Sequence, residues 1–132
     1  MSFQNQFTKT TTDANLMETV HHGSAEYPFR YYYENIALFD FKCIDWHWHS
    51  ELEFIYIKSG NVVFDIGTVH FELNEGNGIM INSKILHRLQ SSSDAIIPNF
   101  LFQPSFIAPQ DSLIYKKYIN PVISSSLEYL VF

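Results

Sequence analysis

The sequence has a single cysteine, few charged residues and no long apolar run. Cys43 cannot form an intrachain disulfide and has no second cysteine with which to build a zinc ribbon. No run approaches the roughly 18 apolar residues of a membrane helix, and the threonine-rich start lacks the basic and apolar parts of a signal peptide. These absences exclude a disulfide scaffold and disfavour secretion and membrane insertion. We therefore expect a cytoplasmic protein.

Basic residues are also scarce, with 8 Lys and Arg against 14 Asp and Glu, which gives a net charge of -6. Contact with a bare phosphate backbone needs a positive face, so the composition argues against direct binding of nucleic acid. Apolar residues make up 46% of the chain and aromatic residues 17%, which is too apolar for a disordered chain. A length of 132 residues is typical of one domain with a single core.

Three segments differ in pattern. Residues 1–26 are polar with scattered apolar residues, which predicts a flexible N-terminal arm. Residues 27–109 contain eight short apolar or alternating runs separated by Gly, Asn, Pro and Ser, a pattern typical of antiparallel strands. The runs are residues 29–33, 37–44, 53–58, 62–66, 69–73, 78–81, 86–89 and 99–102. They predict a sandwich or small barrel in which Val69, Phe71 and Leu73 face the core.

Residues 110–132 differ again. Asp111 or Ser112 is expected to cap a helix over residues 113–119, and residues 120–121, Asn and Pro, are expected to stop it. Tyr115, Tyr118 and Ile119 form a one-sided stripe on that helix, which fits either a dimer contact or packing on the barrel. Residues 127–132 are apolar to the end, which predicts that the natural chain continues into a further domain.

The candidate chemistry lies in His47, His49 and Glu53. In one straight strand Glu53 would sit about 13 Å beyond His49, too far for one shared ion. If residues 50–52 form a turn, the three side chains converge, and His87 follows a later loop as a fourth group. Three imidazoles and one carboxylate suit Zn, Ni, Fe or Mn rather than Ca or Mg. The alternative is that all four are hydrogen-bonded core or pocket residues.

The spacing HxH-x3-E-x6-G, formed by His47, His49, Glu53 and Gly60, resembles the first cupin motif. Gly76 and His87 resemble parts of the second motif. Three positions depart from the cupin pattern: Phe41 stands where a glycine is expected, and Asn82 and Lys84 replace a proline and a glycine. The resemblance implies an all-β fold, a cupin-like antiparallel β-barrel (double-stranded β-helix) with a short C-terminal helical segment.

Three phrases in order, HWHSELEFIYIKSG, FELNEGNGIMINSKILHRL and YKKYINPVISS, resemble the N-terminal sensor domain of AraC-type transcription regulators. The resemblance implies that the barrel binds a small-molecule effector and forms a homodimer. It also implies a C-terminal pair of helix-turn-helix units, for which this chain contains no basic recognition helix. DNA would then be contacted only through a domain that lies outside these residues.

The expected effector pocket combines the four metal-type residues with aromatic side chains. Trp46 or Trp48 and Phe54 or Tyr56 are candidates, of which Trp48 and Tyr56 are our predicted ligand contacts. Aromatic faces beside hydrogen-bonding groups favour a sugar or a similar metabolite as the effector. Core packing is the more ordinary role for each single aromatic side chain.

A second function fits the same residues, namely a small metal-dependent cupin enzyme such as a dioxygenase or isomerase. Such chemistry needs a separate acid or base near the metal, and Glu51 is the nearest candidate in the sequence. The two functions differ in behaviour. An enzyme is active as this chain, whereas a sensor binds its ligand without turnover and needs a C-terminal extension to bind DNA.

Overall fold

Two antiparallel sheets enclose the core of the protein, whose computed structural model describes residues 5–132. One sheet has the strand order β1-β8-β3-β6-β9 and the other has the order β2-β7-β4-β5. Within the described residues the strands are β1 (Phe29–Tyr32), β2 (Cys43–His47), β3 (Leu52–Tyr56), β4 (Asn61–Ile66), β5 (Val69–Asn74), β6 (Gly78–Ile81), β7 (His87–Gln90), β8 (Asn99–Phe102) and β9 (Tyr129–Val131). The predicted all-β fold is confirmed.

The core lies between the two sheets because alternate residues of each strand face inward. Ile55, Ile79 and Ile81 of the larger sheet pack against Val62 and other residues of the smaller one. Phe64 and Ile66 of the smaller sheet are also fully buried in this core. Strand β6 is buried at all four positions, because the core covers its inner face and the C-terminal segment covers its outer face.

The predicted strand over residues 37–44 is wrong in its first part. Two 3₁₀ turns, Ile36–Leu38 and Asp40–Lys42, occupy this stretch, and β2 begins only at Cys43. Asn35 starts the first turn, since its side-chain oxygen accepts a hydrogen bond from the amide of Ala37 at 3.0 Å. Phe41 and Lys42 have φ of 60° and 51°, a left-handed conformation that interrupts an extended strand.

The predicted facing of β5 is confirmed for Phe71 and Leu73 but is wrong for Val69. Leu73 is buried in the core, and Phe71 packs against the core with its ring stacked on Phe64 at 5.8 Å. Val69 is 37% exposed. It begins β5 directly after the turn from β4, and it pairs with Ile66 at the end of the hairpin.

The C-terminal helical segment is present, and its cap is Ser112. The Ser112 hydroxyl accepts a hydrogen bond from the amide of Tyr115 at 3.1 Å. The predicted stop at residues 120–121 is wrong, because a π-helical turn (Tyr115–Ile119) leads directly into α1 (Asn120–Ile123). Proline is tolerated there since the first turn of a helix does not use its missing amide hydrogen.

The C-terminal segment packs along the larger sheet. Strand β9 pairs with β6, and Ile123 and Leu127 lie over a second apolar cluster on the outer face. Tyr115 is buried, whereas Tyr118 is 61% exposed, so the predicted stripe is divided between the protein interior and solvent. Across residues 5–132 we find no helix with the length and apolar character required to span a bilayer.

Residues 5–26, which we call the arm, lie against the barrel. Met17 pairs with Trp48 in a parallel bridge, and the Trp48 amide donates a hydrogen bond to the Leu16 carbonyl at 3.0 Å. The Glu18 amide donates to the Trp48 carbonyl at 2.9 Å. The arm thus adds a short strand-like segment beside the end of β2. The division of the chain at residues 26 and 109 stays a prediction.

His22 joins the arm to the barrel. Its Nδ1 lies 2.6 Å from the hydroxyl of Tyr32 on β1, and its Nε2 contacts the carboxylate of Glu18. The His22 amide also donates to the Glu51 carboxylate at 3.3 Å. These contacts bury the imidazole, whereas the neighbouring His21 is exposed.

Phe64→Ala should lower the free energy of unfolding by about 3–5 kcal/mol, since it removes a fully buried ring from the core. Phe41→Ala is the matched control, because Phe41 is 98% exposed and its loss should cost less than about 0.5 kcal/mol. Urea denaturation measures both values. Equal losses would contradict the placement of the two rings.

His22→Ala should release the arm, because it removes the imidazole hydrogen bond to Tyr32 of the barrel and the contact with Glu18 that holds the imidazole in place. Lys9 is the only Lys or Arg before Arg30, so trypsin cleavage after Lys9 reports arm opening. We expect cleavage there to become roughly tenfold faster. The control is His21→Ala, which should cleave at the wild-type rate. A faster rate in the His21 variant than in the His22 variant would refute the assignment.

Candidate functional site

Three imidazoles and one carboxylate converge at one end of the barrel. His47 ends β2 and pairs with His87, which begins β7, while Glu53 lies on β3 of the other sheet. The chain bends at residues 50–51, as expected for a turn between His49 and Glu53. One ligand-type atom from each of these four residues, all buried, lies within 4.8 Å of the others. We call the four the His/Glu cluster.

A bulge in β2 aims His47 at this cluster. Ile44 pairs with Leu89, but His47 pairs with His87, so β2 has an extra residue in this interval. The bulge leaves the Asp45 carbonyl free to accept a hydrogen bond from Nδ1 of His47 at 2.7 Å. The imidazole orientation is therefore set by the strand irregularity itself.

The other two rings are held in the same way. Each Nδ1 faces a backbone carbonyl two residues away, at 3.0 Å for His49 with Glu51 and at 2.8 Å for His87 with Ile85. A carbonyl oxygen only accepts hydrogen bonds, so each Nδ1 carries the hydrogen and donates. All three rings consequently turn Nε2 toward the centre of the cluster.

Glu53 shares one oxygen between two of those nitrogens. Its Oε1 lies 3.2 Å from Nε2 of both His49 and His87. Burial alone would raise the pKa of Glu53, but the His49 and His87 imidazoles beside its carboxylate outweigh burial and hold its pKa well below the usual range. Burial alone would lower the pKa of His49, yet the Glu53 carboxylate raises it to about 9.

His47 differs from the other two rings, because within residues 5–132 no carboxylate forms a hydrogen bond with its Nε2. Burial, together with the nearby His87, lowers its pKa to about 3, so its ring is neutral with a bare Nε2 lone pair. A protonated His49 balances the charge of Glu53 when no other cation is present. The donor set of three anchored imidazole nitrogens and one carboxylate oxygen fits a transition metal, since metal-binding histidines are commonly fixed through the second ring nitrogen.

A small cavity of about 50 Å³ lies beside the His/Glu cluster, between the barrel and the arm. His47 and Glu53 form part of one wall, and Glu18 and His22 of the arm form another. Since one buried water needs about 10–15 Å³ by this measure, the cavity has room for a few waters. The arm is thus part of the candidate binding site.

Glu34, which the sequence reasoning missed, also lines this cavity. The residue is buried, at 6% exposure, and the Asn99 side-chain amide donates to the Glu34 Oε1 at 2.9 Å. Burial raises the pKa of Glu34 to about 7, although the Asn99 hydrogen bond offsets part of this effect. A signal existed in the sequence: Glu34 follows Tyr32 by two residues, so strand alternation places both side chains on the inner face.

Trp48 and Tyr56, the aromatic residues predicted to contact ligand, are not among the residues that line this cavity. The Trp48 indole donates to the Asn15 carbonyl of the arm at 2.9 Å. Tyr56 is 47% exposed on the outer face of the larger sheet. Glu51, the candidate acid or base, points its carboxylate at the His22 amide and is not among the cavity-lining residues.

Comparisons with known proteins agree with this architecture. A family model for the AraC-like ligand binding domain matches residues 38–108. An uncharacterized HTH-type transcriptional regulator, YdeC of Bacillus subtilis (strain 168), is 33% identical over 121 residues. That alignment covers 89% of this chain and 41% of the relative, so the chain spans less than half of the relative's length.

The chain was also compared with solved structures that have little sequence identity to it. An RmlC-like cupin from Shewanella frigidimarina NCIMB 400 has a TM-score of 0.52 at 14% identity, covering 58% of this chain and 67% of that one. A cupin-2 domain protein from the same organism has a TM-score of 0.49 at 14% identity, covering 55% and 69%. The first comparison confirms the predicted cupin-like barrel. Because the family model matches more than half of its residues, the chain belongs to the AraC-like ligand binding domain family.

Proposed function

We propose that this chain is the effector-sensing domain of a transcription regulator, and that its effector binds in the cavity beside the His/Glu cluster. The observation that carries the proposal is the position of this cavity between the barrel and the arm. A ligand there contacts the cluster on one side and Glu18 and His22 of the arm on the other. DNA contact belongs to a helix-turn-helix unit outside these 132 residues.

The arm is the element that would transmit binding. A cavity of about 50 Å³ holds only a few waters, so an effector as large as a sugar must displace arm residues to enter. Displacement would strain the contacts among Glu18, His22 and Tyr32 and the bridge from Met17 to Trp48. A change in arm position would then alter how the DNA-binding unit is presented.

The regulator would act as a homodimer. The C-terminal helical segment exposes Leu113, Ile114 and Tyr118 on its surface. Large apolar side chains on a helix surface favour contact with a second copy of the chain. In this arrangement Tyr115 anchors the segment on the barrel while Tyr118 faces the partner.

The proposal includes a transition metal, Zn, Ni, Fe or Mn, held by His47, His49, Glu53 and His87. Support comes from the three Nδ1–carbonyl hydrogen bonds, which orient the Nε2 atoms before any ion arrives. A bound metal supplies a Lewis-acidic site for an oxygen or nitrogen of the effector. The cluster would then fix one end of the effector within the cavity.

A metal-dependent cupin enzyme is the second candidate, and Glu34 is the observation that favours it. A buried carboxyl beside the cluster, with a pKa raised to about 7, has the properties of a general acid or base. Turnover by the metal-loaded chain would support the enzyme. Reversible binding with the ligand recovered unchanged would support the sensor.

Protein purified with a tag other than polyhistidine and without chelator should contain a transition metal, as measured by mass spectrometry of the dissolved protein. Glu53→Gln should weaken zinc binding at least tenfold in calorimetry, since it replaces the anionic ligand with a neutral one of the same shape. Exposed Glu72 is the matched control, and Glu72→Gln should bind zinc as the wild type does.

The melting temperature and circular dichroism of the Glu53 variant report whether it folds. His47→Gln provides a second ligand removal if the Glu53 variant does not fold. Absence of metal as purified, together with no heat of binding on adding zinc or iron, would overturn the metal assignment. The four residues would then be hydrogen-bonded pocket residues.

A further inference from the structure

We propose that the cavity selects an effector that carries a protonated amine and an uncharged oxygen atom, such as a hydroxyl, separated by a short spacer. In this proposal Glu34 binds the amine. The oxygen would face the His/Glu cluster. The inference rests on the proposed function, because it assigns a ligand class to the same cavity. It also assigns a specificity-determining role to Glu34, a residue outside the metal-type cluster.

The first support is the incomplete hydrogen bonding of Glu34. Asn99 donates to Oε1, and the Glu34 backbone carbonyl accepts from the Ile97 amide. No residue within 5–132 donates a hydrogen bond to the second carboxylate oxygen, Oε2, although Glu34 as a residue is only 6% exposed. A buried carboxylate with one free oxygen in a cavity wall is suited to accept a hydrogen bond from a ligand.

The second support is the charge of the cavity walls. Three carboxylates line the cavity, and two of them contact a histidine: Glu53 contacts His49 in the cluster, and Glu18 contacts His22. Glu34 has only the neutral amide of Asn99. Lys9 is the single lysine or arginine among the lining residues, and it is exposed. A cationic ligand group would therefore compensate Glu34, whereas a carboxylate or phosphate there would be repelled.

The third support is the distance between Glu34 and the cluster. Glu53 pairs with Leu101 across β3 and β8, and Ile55 pairs with Asn99. Asn99, whose side chain is hydrogen-bonded to Glu34, therefore lies two residues along β8 from Leu101, the residue opposite Glu53. Two residues of a strand span about 7 Å. A cavity of about 50 Å³ bridging this distance fits a molecule of only a few heavy atoms. The volume of the cavity and the distance from Glu34 to the cluster both favour a short amino alcohol.

The test uses three probes of nearly equal size: ethanolamine, ethylene glycol and glycolate, which are cationic, neutral and anionic. Each is titrated by calorimetry into the 132-residue chain, once with stoichiometric zinc and once without. Ethanolamine should bind at least tenfold more tightly than ethylene glycol, and glycolate should bind most weakly. Tighter binding of glycolate than ethanolamine, or no binding of ethanolamine, would overturn the proposal.

Glu34→Gln tests the residue, because the amide keeps the shape and still accepts from Asn99. Ethanolamine affinity should fall at least tenfold, while the affinity for ethylene glycol should change less than about threefold. Glu72→Gln, at an exposed carboxylate of β5 that does not line the cavity, should leave both affinities unchanged. Unchanged ethanolamine binding in the Glu34 variant would refute the assignment.

The zinc affinity of the Glu34 variant separates this inference from the proposed function. Wild-type zinc binding with reduced ethanolamine binding supports both. Tight glycolate binding by the zinc-loaded wild type would retain a ligand site at the cluster but reject an amine as its ligand class. Loss of zinc binding in the Glu34 variant would contradict the separate role of Glu34 and would make it part of the metal site.

Discussion

The anchoring of three buried imidazoles through Nδ1 is the constraint on which the site depends. Each ring is fixed by a carbonyl of its own local chain, so its position follows from backbone shape rather than from neighbouring side chains. The bulge in β2 supplies this carbonyl for His47, and the bend at residues 50–51 supplies it for His49. The β-barrel then needs only to bring β2, β3 and β7 together for the nitrogens to meet Glu53.

Strand alternation in the His-Trp-His run links the cavity to the arm. His47 and His49 face the cluster, while the Trp48 between them turns outward, and its backbone and indole both hydrogen-bond to the arm. Cavity and arm contacts thus arise from adjacent residues on one short backbone segment. A small shift of that segment would move both sets of contacts, so the effector that we propose would act on the arm without a long chain of intermediates.

Local patterns in the sequence predicted most of the sheet and the four-residue cluster. Alternation located β5, short apolar runs located β4 and β6, and the spacing of His47, His49 and Glu53 required only a turn to make them converge. The strand over residues 37–44 was wrong because apolar composition does not reveal the left-handed backbone at Phe41. The arm packing could not be predicted, since the bridge from Met17 to Trp48 joins segments whose pairing no local pattern specifies.

Glu34 is a candidate binding residue that the motif spacings in the sequence did not identify. Spacing motifs direct attention to residues that share one ion, but a binding cavity also depends on buried polar groups whose partners lie elsewhere in the chain. Asn99 is 65 residues from Glu34, so their pairing becomes visible only in three dimensions. A carboxylate that is buried with only one neutral donor costs stability, and folded proteins retain such groups chiefly where they serve a site. Glu53 and Glu18 have histidine partners that balance their charge; Glu34 has none, and that difference identifies it as the wall residue most suited to recognise a ligand.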